Sequence, residues 1–386
     1  MTSRRTRTLL LLGLLLTVGI WLWRGGQRPH EKPEAVAQSA TVDTPPGAAR
    51  STGPVPSESG AVASPEQPVE KLPIPPCWDG LVELDEHASL ATLHEALLSA
   101  QSSGDPLLLE YLEERLAEVI GGDAQAALQV FGWARDAGAP LSTHLLAAVK
   151  HSAAVQKPEV ADKLLLLGAD GKQSQELRKA ALEALETQRS LPAPMLSKLK
   201  SVAMDEHSDE AAWLATRTIG RVMTEEFQRG GSAGSYLKDL LDIGQHSGEA
   251  AVRSLALEMP SYGNIPVEKS ALVTLAQVLS RDPDRSVREM AAFRMGLSRD
   301  PNQALTLLGA AFESERDLCV RWAIFRFAVR AAGPRSLPLL DKLSMTEPRL
   351  RPDYEDFRAI YARGVVDFAR VWQEKPERMQ CLDEEG

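Results

Sequence analysis

Cysteine is scarce in this chain: its 386 residues hold three, Cys77, Cys319 and Cys381. They are too few and too scattered for a disulfide framework, and they lack the closely spaced ligand pairs of a zinc site. Aromatic residues make up only 5%. Also missing are the alternating apolar pattern of strands, a basic stripe, and the Gly-x-Ser-x-Gly, His-Glu-x-x-His and Gly-Lys-[Ser/Thr] motifs. Their absence removes the best-marked hydrolase, metalloprotease and phosphate-loop chemistries. Gly230-Gly-Ser-Ala-Gly234 lacks the lysine of a phosphate loop and reads as a turn.

Positive charge is in deficit. Residues 1–76 hold 8 basic and 6 acidic side chains of the chain's 43 and 53, leaving 35 and 47 for the remainder. A surface of that sign repels phosphate backbones, so no nucleic-acid partner is expected. The histidine pairs His87/His94 and His144/His151 are seven residues apart. On a helix that leaves about 10 Å between them, too far to share one metal. Adjacent carboxylates such as Glu113/Glu114 diverge by about 100° on a helix and do not form an acid/base couple. No cofactor, metal or catalytic residue is assigned, and the chain reads as a non-enzyme.

The N-terminus does carry a signal. A short basic tail (1–7) with Arg4, Arg5 and Arg7 precedes an uncharged run, 8–23, that ends in Trp21 and Trp23. Sixteen residues at about 1.5 Å each span roughly 24 Å, so a membrane anchor here draws length from its flanks, where the tryptophans suit the head-group boundary. Ala35-Val36-Ala37 has the form of a cleavage site but lies across three basic residues from the run. An uncleaved single-pass inner-membrane anchor is therefore preferred over a cleaved, secreted form, with the bulk of the chain in the periplasm and the lipid bilayer as a partner. Residues 24–76 follow as a linker. Eleven of the 25 prolines fall between 25 and 76, among small and polar residues, a composition that cannot bury enough surface to offset chain entropy.

From Ser89 onward, apolar residues recur at three-four spacing in blocks separated by Gly, Pro, Asp or Ser. One such block, Asp353 to Trp372, sets Tyr354, Phe357, Tyr361, Val365, Phe368 and Trp372 on one face. Five second helices align: 176–185, 212–220, 251–259, 286–295 and 319–327. Their equivalent positions Arg178, Leu214, Arg253, Arg288 and Arg321 lie 36, 39, 35 and 33 residues apart, the length of a two-helix repeat. Counting back through Leu90 predicts an all-α solenoid of about eight helix pairs over residues 77–372, with an acidic tail at 373–386.

Asp282-Pro-Asp-Arg-Ser-Val-Arg-Glu-Met-Ala-Ala resembles the HEAT repeat, especially its short bacterial form related to phycobilisome-lyase repeats. The resemblance implies a structural ladder in which Asp284 pairs with Arg288 and Asp317 with Arg321, with Arg178 and Arg253 at the same position. Leu214 replaces the arginine, and Gly248 to Arg253 lacks the aspartate, so interruptions are expected at both places. The extended concave surface of such a solenoid suits an unknown protein partner, expected on the exposed second-helix side near Arg217, Arg221, Arg294 and Arg326. The alternatives are an enzyme of the bilin-lyase kind and a purely structural envelope spacer. A Cys77–Cys381 or Cys319–Cys381 bridge needs a returning tail, and free thiols are otherwise expected, with Cys319 packed inside a helix.

Overall fold

A computed structural model describes residues 81–377, apart from position 83 and residues 206–208. The expected anchor (8–23), the linker (24–76) and most of the acidic tail lie outside the described residues. No described helix is long and apolar enough to cross a membrane.

From Leu90 on, seventeen α-helices follow one another with three short 3₁₀ turns, and no β-strand occurs among the described residues. They are α1 (Leu90–Ser103), α2 (Pro106–Ile120), α3 (Ala124–Asp136), α4 (Ala139–His151), α5 (Pro158–Ala169), α6 (Gln175–Leu185), α7 (Ala193–Ala203), α8 (Asp209–Gln228) and α9 (Gly234–His246). Next come α10 (Ala250–Tyr262), α11 (Lys269–Arg281), α12 (Arg285–Met295), α13 (Pro301–Ser314), α14 (Leu318–Ala332), α15 (Leu337–Thr346), α16 (Arg351–Ala362) and α17 (Phe368–Glu374).

Local chemistry sets these boundaries. Asp105, Asp123, Asp284, Asp317 and Asp367 each accept a hydrogen bond from a free backbone N–H of the helix they precede. Ser89 and Thr92 form a reciprocal capping box at α1. The block read as continuous from Asp353 to Trp372 is two helices. Gly364 adopts φ 85°, a left-handed conformation that ends α16. Asp367 then starts α17 by accepting from Arg370 N.

The helices pack as eight consecutive antiparallel pairs, α1/α2 through α15/α16, with α17 against α16. Second helices also pack on second helices of the neighbouring pairs, from α2/α4 to α12/α14. No pair buries its apolar face alone, so the core is a relay between neighbours. Leu145, Leu182, Ile219, Ala256, Ala292 and Phe325 are all completely or almost completely buried along it.

Glycines permit the closest approaches. A Cβ at Gly168 of α5 or Gly244 of α9 would fall 2.7 Å from Leu182 or Leu257 of the partner helix. Gly220 joins two pairs: a Cβ there would lie 2.5 Å from the Cβ of Met259 on α10, which cannot swing away as a side-chain tip can. Alanine gains about 1 kcal/mol of helix propensity over glycine, whereas overpacking costs about 1–3 kcal/mol. Gly220→Ala is therefore expected to lower stability by up to about 2 kcal/mol in a urea titration, although the same change on an exposed helix face would raise it.

Candidate functional site

Among the described residues, the arginines of the second helices include a structural row, others held by nearby acids, and a few with no carboxylate beside them. The row begins at Arg253 of α10. Its Nε and Nη2 donate to the Asp282 carboxylate at 2.8 and 2.9 Å, and its Nη1 donates to Ser247 O and Gly248 O at 2.9 and 3.0 Å. One repeat later, Arg288 Nε donates to Glu315 at 2.8 Å while Nη1 reaches Asp282 O and Pro283 O. Arg321 closes the series by donating to Glu315 O at 2.8 Å and Glu347 at 3.1 Å.

Each guanidinium thus ties the turn of its own pair to an acid at the C-terminus of the next pair's first helix. Asp282 and Glu315 accept twice, through the carboxylate from the preceding repeat and through the carbonyl from their own. These pairs are well shielded: Arg253 and Asp282 side chains are 9% and 6% exposed. The Asp282 bond raises the Arg253 pKa above the ordinary value. Arg349, aided by Arg321, holds Glu347 down to about 2 against the opposing effect of burial.

This geometry corrects the expected ladder. Asp284 does not pair with Arg288, nor Asp317 with Arg321; both aspartates cap the starts of α12 and α14, with N–H to O distances of 2.8 Å. The interruption expected at Gly248–Arg253 does not occur, because the acid that matters lies in the following repeat. Arg178 donates to Gly168 O at 3.1 Å. At the equivalent position Leu214 is buried in the core.

The four candidates for partner contact separate as well. Arg217 is bound by Glu183 and Glu186 and lies over Trp213, and Arg221 approaches Glu186 at 3.7 Å. Arg294 is not on the surface at all: it is 4% exposed, turned inward between the layers. Arg326 remains half-exposed and has no carboxylate partner among the described residues; its Nε makes no hydrogen bond.

Arg330, one turn on, is the residue that sequence reasoning missed. Arg326 lies 3.9 Å from the Trp372 ring centroid and 5.1 Å from that of Phe327. Arg330 lies 5.0 Å from Phe293 and 5.4 Å from Phe368. Burial lowers the pKa of both, and the charge of Arg330 lowers that of Arg326 further. Two cations therefore sit on an aromatic floor with no acid to answer them among the described residues, in a chain with an excess of acid. The i, i+4 spacing of the two arginines was the available signal.

Beside this patch, Lys375 enters the core past the expected boundary at Trp372. Its Nζ meets the Asp353 carboxylate, with the two side chains 3% and 1% exposed, and faces the Trp322 ring at 5.0 Å. Cys319, at the start of α14, is disulfide-bonded and not a free thiol. The two other cysteines, Cys77 and Cys381, lie outside the described residues.

No family model matches the chain, and no curated protein matches it. Among solved structures, human deoxyhypusine hydroxylase in complex with glycerol is similar at 19% identity, over 74% of this chain and 99% of that one, with a TM-score of 0.30.

Proposed function

We propose that this protein is a non-catalytic scaffold of HEAT-like repeats, tethered to the inner membrane by residues 8–23 and held in the periplasm. It engages an acidic segment of a partner protein through Arg326 and Arg330. The observation that carries this reading is the pair of guanidiniums lying on Phe293, Phe327, Phe368 and Trp372 without a carboxylate among the described residues. Arginine on aromatic rings is held as a rigid planar fork, the geometry suited to carboxylates presented by a protein surface. Desolvated cations of this kind are the contacts that dominate protein interfaces, whereas the paired Arg217 and Arg221 would first have to surrender an acid. The disulfide at Cys319 supports an oxidising compartment.

Chemical crosslinking of the full-length protein in intact cells tests this reading. The Arg326→Glu, Arg330→Glu double variant, checked for unchanged folding by circular dichroism, should lose the adducts of the wild type by about tenfold or more, the equivalent of about 1.4 kcal/mol. Identical adducts from both proteins would refute it.

A further inference from the structure

A cavity of about 600 Å³ opens between α9 and α11. Leu237 and Leu241 form one wall, Ala271 and Leu275 the opposite one, and Leu257 and Pro260 of α10 the floor. The end near Pro266 is fixed, since Val267 N donates to Leu297 O and Arg299 N to Val267 O, at 3.1 and 3.0 Å. At about 30 Å³ per water-sized group, the space holds about twenty non-hydrogen atoms, an ordinary size for a ligand pocket.

Arg294 of α12 also borders this cavity. Its Nη2 donates to Ile265 O at 3.2 Å, but Nη1 is buried without any hydrogen-bond partner. No carboxylate answers it among the described residues. The acids on the rim are engaged elsewhere, Asp242 with Lys200 and His246 and Glu268 with Arg299. Burial and the nearby charge of Arg330 lower the Arg294 pKa to about 10. A guanidinium at 4% exposure with no counter-charge is costly, and that cost is relieved by an anion placed beside it.

We propose that this cavity binds an aliphatic monocarboxylate, with the carboxylate beside Arg294 and the hydrocarbon along Leu237, Leu241, Leu257 and Leu275. The apolar stretch of Leu237, Leu241, Leu257, Pro260 and Leu275 favours a hydrocarbon body over a phosphate or a dicarboxylate, which would not replace the water it sheds. Lys200, Lys238, Gln245, Ser270 and Thr274 also line the cavity, but Lys200 is held by Asp239 and Asp242 and Lys238 is exposed, so Arg294 is the buried cation that a single negative charge on an apolar body would answer. Arg326 and Arg330 do not line this cavity, but the charge of Arg330 reaches Arg294, so the site is tested on protein with both arginines unchanged.

Calorimetric titration of the full-length protein with octanoate and with 1-octanol, against carrier blanks, tests the assignment. Octanoate should bind at least about tenfold more tightly than the alcohol. Arg294→Met should abolish that preference while Arg294→Lys retains part of it. Thr274→Trp, which fills the cavity and leaves Arg294 in place, should weaken both ligands and keeps the test decisive if the Arg294 variants fold poorly. Equal affinity for acid and alcohol, no octanoate binding by the wild type, or an undiminished preference in Arg294→Met would overturn the proposal.

Discussion

Lys375→Ala is expected to lower the thermal midpoint by roughly 10 °C, with the C-terminal helices opening first. The ammonium is nearly sealed from water and lies against Asp353, which is only 1% exposed. Removing it strands a carboxylate in the core, a loss of about 3–5 kcal/mol when a buried pair is broken from one side. At about 2–4 °C per kcal/mol for a domain of this size, the shift is easily measured. Lys375 also faces Trp322, Phe357 and Trp372, so alanine loses ring contacts as well. The pair itself contributes much less than this asymmetry suggests. Asp353→Val combined with Lys375→Met should recover most of the loss, because neither charge is then left buried alone. A midpoint lowered by less than 2 °C in Lys375→Ala would show that the carboxylate reaches water by another route.

Arg253→Ala should cost about 3–5 kcal/mol in a guanidinium titration, several times the cost of Arg217→Ala. The difference follows from burial. Arg253 makes four hydrogen bonds at 9% side-chain exposure, and its loss strands Asp282 together with two carbonyls. Arg217 is 26% exposed, and on its loss Glu183 turns to water while Glu186 keeps Arg221 at 3.7 Å. Partly solvated pairs of that kind contribute about 0–1 kcal/mol. Arg253→Lys keeps the charge but not the fork, and should fall between the two. Equal losses at the two sites would mean that the row of arginines does not couple the repeats.

The repeat itself was legible because its signals are local. Apolar spacing within each helix, breaks between helices and the interval from Arg178 to Arg321 all lie along the chain, and together they place eight pairs. The partners of those arginines were not legible from four residues upstream. Asp282, Glu315 and Glu347 lie 29, 27 and 26 residues beyond Arg253, Arg288 and Arg321, contacts that exist only once the pairs stack. A weaker trace was present: Asp282 and Glu315 also stand six residues before the next arginine in the row.

Arg294 shows how residue type can mislead. It lies seven residues after Val287 and three after Ala291, both fully buried, so helical period alone assigns it to the core. Its charge suggested the surface instead. The same conflict between period and polarity marks a buried guanidinium that borders the cavity between α9 and α11, as expected where local rules yield to a site. Gly364 misled in the opposite sense, since the aromatic period continues across it although the backbone turns there.

Hydrogen exchange on wild-type protein and Arg288→Ala, followed by mass spectrometry, examines the coupling between neighbours most directly. If each pair is held chiefly by the pairs on either side, protection should fall in α11 to α14, while α1 to α6 exchange as before. A uniform loss across α1 to α17, or none at α13 where Glu315 loses its partner, would contradict the relay of pairs on which every other conclusion rests.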